Sequence, residues 1–99
     1  MEPIPLMDWQ RLSQALATCF DGAGDVTVDE HSFHFHSPAD KVDTSFTMRS
    51  DGRVGASMPL HGLELVATHA VVDQDQRTVT VLGHNLRYTY RIPPSLLIP

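Results

Sequence analysis

The chain has one cysteine and no long hydrophobic run, and each of these scarcities excludes a class of protein. With Cys19 alone, an internal disulfide, a zinc site built from thiolates and a dithiol redox pair are all excluded. No stretch is apolar over the roughly 20 residues that a membrane-spanning helix needs. The first five residues lack the basic start of a secretory signal. We therefore expect a soluble, cytoplasmic protein with no membrane segment.

Positive charge is also scarce. Seven basic residues, of which only Lys41 is a lysine, stand against twelve acidic ones and give a net charge of −5. Such an acidic protein repels the phosphate backbone of nucleic acids. The segment Arg87–Arg91 alternates arginine with tyrosine, so in a strand the two residue types point to opposite faces and form no common stacking platform. Nucleic-acid binding is therefore not expected.

The composition is that of a folded domain. Hydrophobic residues make up 41% of the 99 residues and charged ones 19%, without a shift along the chain. We expect a single domain, 1–99, with a modest core.

Near the N-terminus the apolar spacing predicts an amphipathic helix. Asp8 is its candidate N-cap, Met7 and Leu12 form a candidate hydrophobic staple, and Gly22 and Gly24 end it. Its apolar stripe is Trp9, Leu12, Leu16, Cys19 and Phe20. Because Cys19 lies on this stripe, we expect it to be a buried packing residue rather than a reactive thiol.

From Val26 onward, apolar and polar residues alternate, which is typical of antiparallel strands with one buried face. The first hairpin requires a loop with an even number of residues, which Glu30-His31 provides. This loop places Val26 opposite Phe35 and Val28 opposite Phe33, and we expect all four side chains to be buried.

A second hairpin pairs Phe46 and Met48 with Ala56 and Val54. This hairpin needs a loop with an odd number of residues, and such a loop places Gly52 in a left-handed turn position.

The later strands complete the predicted fold class. Leu63–Val72 has apolar residues at both odd- and even-numbered positions and is interpreted as one strand buried on two sides. The fold is expected to be α+β, with the N-terminal helix on a curved, mainly antiparallel sheet of about six strands, built as a β-hairpin plus a meander. Because a helix of about thirteen residues covers only about four strands, either the sheet curls or a second subunit covers the remainder.

The clearest candidate chemistry follows from the first hairpin. Its register places Asp25 beside His36 and His34 beside Thr27 on the face away from the core, so Asp25, His34 and His36 form a candidate site for zinc or another divalent metal. The alternative is an ordinary exposed polar face. Arg49 and Arg53 flank the second loop and form a candidate anion site, unless Asp43 or a partner carboxylate neutralises them.

No catalytic triad, phosphate loop or pair of buried carboxylates can be recognised, so the sequence gives no support to an enzyme. The leading hypothesis is a small non-enzymatic binding or assembly module. It would act through a sheet face and the apolar C-terminal tail, residues 93–99, as a homodimer or with another protein partner. The alternative is a small-ligand or metal-binding protein that uses the Asp25/His34/His36 cluster.

Overall fold

The protein is an α+β domain with antiparallel sheets. The computed structural model describes residues 2–58, 61–84 and 86–97. In these ranges the elements are β1 (Ile4–Pro5), α1 (Trp9–Cys19), β2 (Asp25–Val28), β3 (Ser32–His36), β4 (Ser45–Arg49), β5 (Arg53–Met58), β6 (His61–Val66), β7 (His69–Asp73), β8 (Thr78–Gly83), β9 (Leu86–Arg91) and a short 3₁₀ helix (Pro94–Leu97). No helix within the described ranges is both long and apolar enough to cross a membrane.

The strands form two sheets. One has four strands in the order β1-β7-β8-β9, and the other has five in the order β2-β3-β4-β5-β6. The prediction of one curved sheet of six strands is therefore wrong, although the α+β class and the antiparallel pairing are confirmed. Helix α1 contacts strands of both sheets, namely β1 and β7 of one and β2 and β3 of the other.

The chain passes from one sheet to the other where a single strand was predicted. Leu63–Val72 is divided between β6 and β7, which belong to different sheets. Between them the N–H of Ala67 donates to Gly52 O at 2.6 Å, and the N–H of Thr68 donates to Leu82 O at 2.7 Å. Consecutive residues thus hydrogen-bond to different sheets. The apolar residues at odd- and even-numbered positions of this segment therefore belong to two successive strands, and not to one strand buried on both sides.

The predicted register of the first hairpin is confirmed. Val26 lies opposite Phe35, and Val28 lies opposite Phe33. Both phenylalanines are buried, but Val28 is 41% exposed. The prediction that all four side chains are buried is therefore wrong for Val28, and Val26 is only half-buried, because β2 is the outermost described strand of its sheet and has a neighbour on one side only.

The second hairpin also has its predicted form. Met48 lies opposite Val54 and Phe46 opposite Ala56. Gly52 has a φ of +99° in the three-residue loop, as the left-handed turn position requires.

Helix α1 buries the predicted apolar stripe, but its start differs from the prediction. The Asp8 side chain makes no capping hydrogen bond. Met7 is 98% exposed, so it forms no hydrophobic staple with the buried Leu12.

The core lies between the helix and the two sheets. Phe20, directly after α1, has its ring centroid 4.8 Å from that of Phe35 and 5.9 Å from that of Tyr90. Because Phe35 belongs to the five-stranded sheet and Tyr90 to the four-stranded one, this single side chain joins all three layers. The C-terminal tail adds Leu96, which is buried in the same core. Ile98 and Pro99, which the tail hypothesis includes, lie outside the described residues.

Candidate functional site

Strand β2 presents an edge of the five-stranded sheet. In the described part of the chain it pairs with β3 alone. The N–H of Asp29 donates to Ser32 O at 3.0 Å, which identifies these two residues as a hydrogen-bonded pair of the hairpin. Because such pairs alternate along an antiparallel ladder, Thr27 and Asp25 bond toward β3. The N–H and C=O groups of Val26 and Val28 then point to the outer edge.

A groove of about 680 Å³ runs between this edge and the start of α1. Its apolar lining is contributed by Met7, Trp9 and Val28, and its acidic lining by Asp8, Asp29 and Glu30. Met7 is 98% exposed and Val28 41% exposed, so two large apolar side chains here face solvent. Together with the Trp9 indole they give the groove an apolar surface that a bound segment would remove from water.

Trp9 and Asp29 hold the two walls of the groove together. The indole Nε1 of Trp9 donates to Asp29 O at 3.1 Å, which ties the first residue of α1 to the β2–β3 turn. Trp9 is only 9% exposed. The bond joins the buried Trp9 to the exposed β2–β3 turn and so fixes the position of the turn against the start of α1.

Asp29 itself is held as a carboxylate. Its oxygens accept the N–H of His31 at 2.7 Å and the N–H and hydroxyl of Ser32 at 2.8 and 3.1 Å. These bonds, that of the His31 N–H foremost, lower the pKa of Asp29 below its usual value. The groove therefore keeps a negative charge at its turn end at neutral pH.

The three predicted metal ligands share the outer face of the first hairpin in the predicted register, with Asp25 opposite His36 and Thr27 opposite His34. Their side chains do not converge. The His36 ring places Nδ1 2.7 Å from Ser37 O and Nε2 3.5 Å from Asp43 Oδ1. His34 Nδ1 lies 3.5 Å from the hydroxyl of Thr47.

Across the residues that the structure describes, no three histidine, cysteine or acidic side chains are grouped so that they could hold a metal ion. The metal site stays a prediction. Titration with zinc tests it, since a site built on Asp25, His34 and His36 would give a near-stoichiometric complex that His36→Ala abolishes.

Arg49 and Arg53 flank the second loop as predicted. The carboxylate paired with the Arg49 guanidinium is that of Asp51, inside the loop, and Asp43 lies beside His36 instead. Asp51 Oδ2 lies 3.4 Å from Nε of Arg49, and Oδ1 accepts the N–H of Arg53 at 3.1 Å. The hydrogen bond from the Arg53 N–H is the main cause that lowers the pKa of Asp51. An anion would have to compete with this carboxylate, and the anion site stays a prediction.

Cys19 is fully buried, as predicted. Burial raises the pKa of its thiol to about 11. The thiol is therefore neutral at physiological pH and lacks the thiolate that a nucleophile or metal ligand requires.

The sequence analysis missed the groove because it assigned each of its apolar residues to the core. The spacing predicts a staple contact for Met7 and buried faces for Trp9 and Val28. A signal is present in β2 and the turn after it, where three acidic residues, Asp25, Asp29 and Glu30, accompany a strand of only four residues. Short, charged strands are typical of sheet edges.

The comparisons with known proteins place no relative beside this chain: no protein-family model, no curated protein and no solved structure matches it.

Proposed function

We propose that this protein is a small non-enzymatic binding module that takes an extended segment of another polypeptide as an added strand along β2. One observation carries the proposal: the outward backbone groups of Val26 and Val28 lie beside a groove with exposed apolar side chains. Strand addition uses both features, because main-chain hydrogen bonds provide affinity and pockets for alternate side chains provide specificity.

The geometry of the groove fits an added strand. Val26 and Val28 lie on the core-facing side of β2, and the groove opens on that side between β2 and α1. Every second side chain of an added strand would point the same way. Those side chains would contact Val28, Met7 and the Trp9 indole, and would remove the exposed apolar surface from water.

This proposal narrows the hypothesis drawn from the sequence. The proposed binding surface is the edge of a sheet, where the sequence hypothesis had a sheet face. The C-terminal tail is not part of this surface, because its Leu96 packs in the core of its own chain. The homodimer stays a prediction that sedimentation at several protein concentrations tests.

Proline at position 28 tests strand addition directly. Because the N–H of Val28 points away from β3, Val28→Pro removes a donor that only an incoming strand would use. Val28→Thr is the matched control, since it keeps the donor and a β-branched side chain. The probe is a blocked hexapeptide, Lys-Val-Lys-Leu-Lys-Val, and the readout is fluorescence of Trp9, the single tryptophan.

We expect the peptide to change the Trp9 emission of the wild-type protein and of Val28→Thr, and Val28→Pro to lose at least about tenfold in affinity. Circular dichroism establishes that each variant is folded. Equal binding by folded Val28→Pro, or no binding by the wild-type protein, would contradict strand addition at β2.

A further inference from the structure

The charge on β2 identifies the chemistry of its partner. We infer that the segment accepted at this edge carries apolar residues on its groove-facing side and cationic residues on its outer side. This inference rests on the proposed strand addition, and it goes further by assigning the partner to basic, extended peptide segments.

The outer face of β2 is acidic at its first residue, and the turn that follows the strand is acidic as well. Asp25 and Thr27 alternate with the two valines, so they lie on the face opposite the groove, and both are exposed. Asp29 follows the strand and lines the turn end of the groove. Side chains directly across from one another on paired strands have Cβ atoms about 5 Å apart. An outer residue of an added strand would therefore lie beside Asp25, and lysine or arginine is favoured there over neutral or acidic residues.

The groove has the same sign of charge. Asp8 and Glu30 line it together with Asp29, and none of the side chains that line it is basic. An added strand thus meets carboxylates on its outer face and at the rim of the groove. A cationic segment would gain from each of these charges, most strongly at low salt.

The same charges argue against a second copy of this chain as the occupant. In an antiparallel pairing that places Val26 of one copy opposite Val28 of the other, Asp25 of each copy lies opposite Asp29 of the other. Like charges directly opposed across strands are destabilising. The acidic residues therefore disfavour this pairing of two copies, as charged edge residues commonly do, while they favour a basic partner.

Three blocked hexapeptides test the inference on the full chain. They share the apolar pattern and differ in the outer residues: Lys-Val-Lys-Leu-Lys-Val, Thr-Val-Thr-Leu-Thr-Val and Glu-Val-Glu-Leu-Glu-Val. Each is titrated at low salt with Trp9 fluorescence as the readout. We expect the lysine peptide to bind most tightly and at least about tenfold more tightly than the glutamate peptide. High salt should narrow this difference.

A charge variant locates the effect on β2. Asp25→Asn should weaken binding of the lysine peptide about two- to fivefold and leave the threonine peptide unchanged. Asp75→Asn is the matched control, because it removes the same charge from an exposed turn of the other sheet and should change neither affinity.

The two levels of the proposal fail in different ways. Equal binding of all three peptides, weakened in each case by Val28→Pro, would retain strand addition and overturn the assignment to a basic partner. Tightest binding of the glutamate peptide would do the same. Failure of every peptide to bind would overturn strand addition itself. A dimer that Val28→Pro dissociates would retain strand addition and overturn the assignment to a basic partner, since the occupant would then be a second copy.

Discussion

At the scale of single residues, Arg77 stabilises the end of a helix that is remote in sequence. It lies in the turn between β7 and β8, and its Nη1 donates hydrogen bonds to the carbonyl oxygens of Cys19 and Asp21. The last turn of α1 contains no basic residue of its own. Arg77 therefore supplies the positive charge and the donors that a helix C-terminus favours.

Substitutions at Arg77 should separate this contact from its backbone strain, because Arg77 has a φ of +54°. Arg77→Ala should lower the free energy of unfolding by about 1–2 kcal/mol through loss of a charged hydrogen bond. Arg77→Gly loses the same bonds but relieves a strain of about 1 kcal/mol, so it should be less destabilising. Urea denaturation measures both. The exposed Arg87→Ala is the control, and equal stability of all variants would contradict this role.

Cys19 gives the stability of the protein a defined pH dependence. Burial raises the pKa of its thiol from 9.0 to about 11. In the unfolded chain the thiol ionises above its ordinary pKa, whereas in the folded chain it stays neutral. Its contribution is therefore present in full below pH 9.0 and is lost as the pH rises toward about 11.

We expect the unfolding free energy to fall by up to about 3 kcal/mol over this window because of Cys19, at about 1.4 kcal/mol per pH unit. Urea denaturation at a series of pH values measures the fall. Cys19→Ala should show a smaller one, with a remainder from Tyr90, whose pKa is also raised by burial. Parallel pH curves for the two proteins would show that the thiol does not titrate in this way.

At the scale of elements, the passage between the two sheets depends on a close backbone approach. A Cβ added to Gly52 would lie 2.6 Å from Ala67 O, and the φ of Gly52 is +99°. Gly22 has a similar φ of +80° but has no atom within 4 Å of an added Cβ. The two glycines thus share the backbone strain and differ in the clash.

Gly52→Ala should therefore destabilise the protein at least about twice as much as Gly22→Ala, for which only the left-handed strain of about 1–2 kcal/mol applies. Thermal unfolding of the two variants under identical conditions measures the difference. If Gly22→Ala were as destabilising as Gly52→Ala, the contact with Ala67 would not govern the crossing.

At the scale of the whole molecule, local pattern predicted the hairpins and failed on the arrangement of the sheets. Parity and loop length determine which residues lie opposite one another, so Val26 and Phe35 were paired correctly. The separation into two sheets depends on hydrogen bonds from Ala67 to Gly52 and from Thr68 to Leu82. Those partners are distant in sequence, and alternation carries no information about them.

In the candidate site, too, local alternation predicted some features, and others depend on residues distant in sequence. Parity placed Asp25, His34 and His36 on one face, but the Asp43 carboxylate near His36 comes from a loop that has no periodic pattern. The groove depends on β2 being an edge strand and on where α1 begins relative to it. Local alternation does not determine the order of strands in the sheet, and this order places Val28 at an edge beside Met7.

Amide hydrogen exchange at β2 tests the central claim most directly. In the protein alone, the N–H of Thr27 should be protected by its bond toward β3, whereas those of Val26 and Val28 should exchange freely. Saturation with Lys-Val-Lys-Leu-Lys-Val should protect Val26 and Val28 and leave the amides of the four-stranded sheet unchanged. Protection of Val26 and Val28 before any peptide is added, or free exchange of both at saturation, would contradict recognition by strand addition.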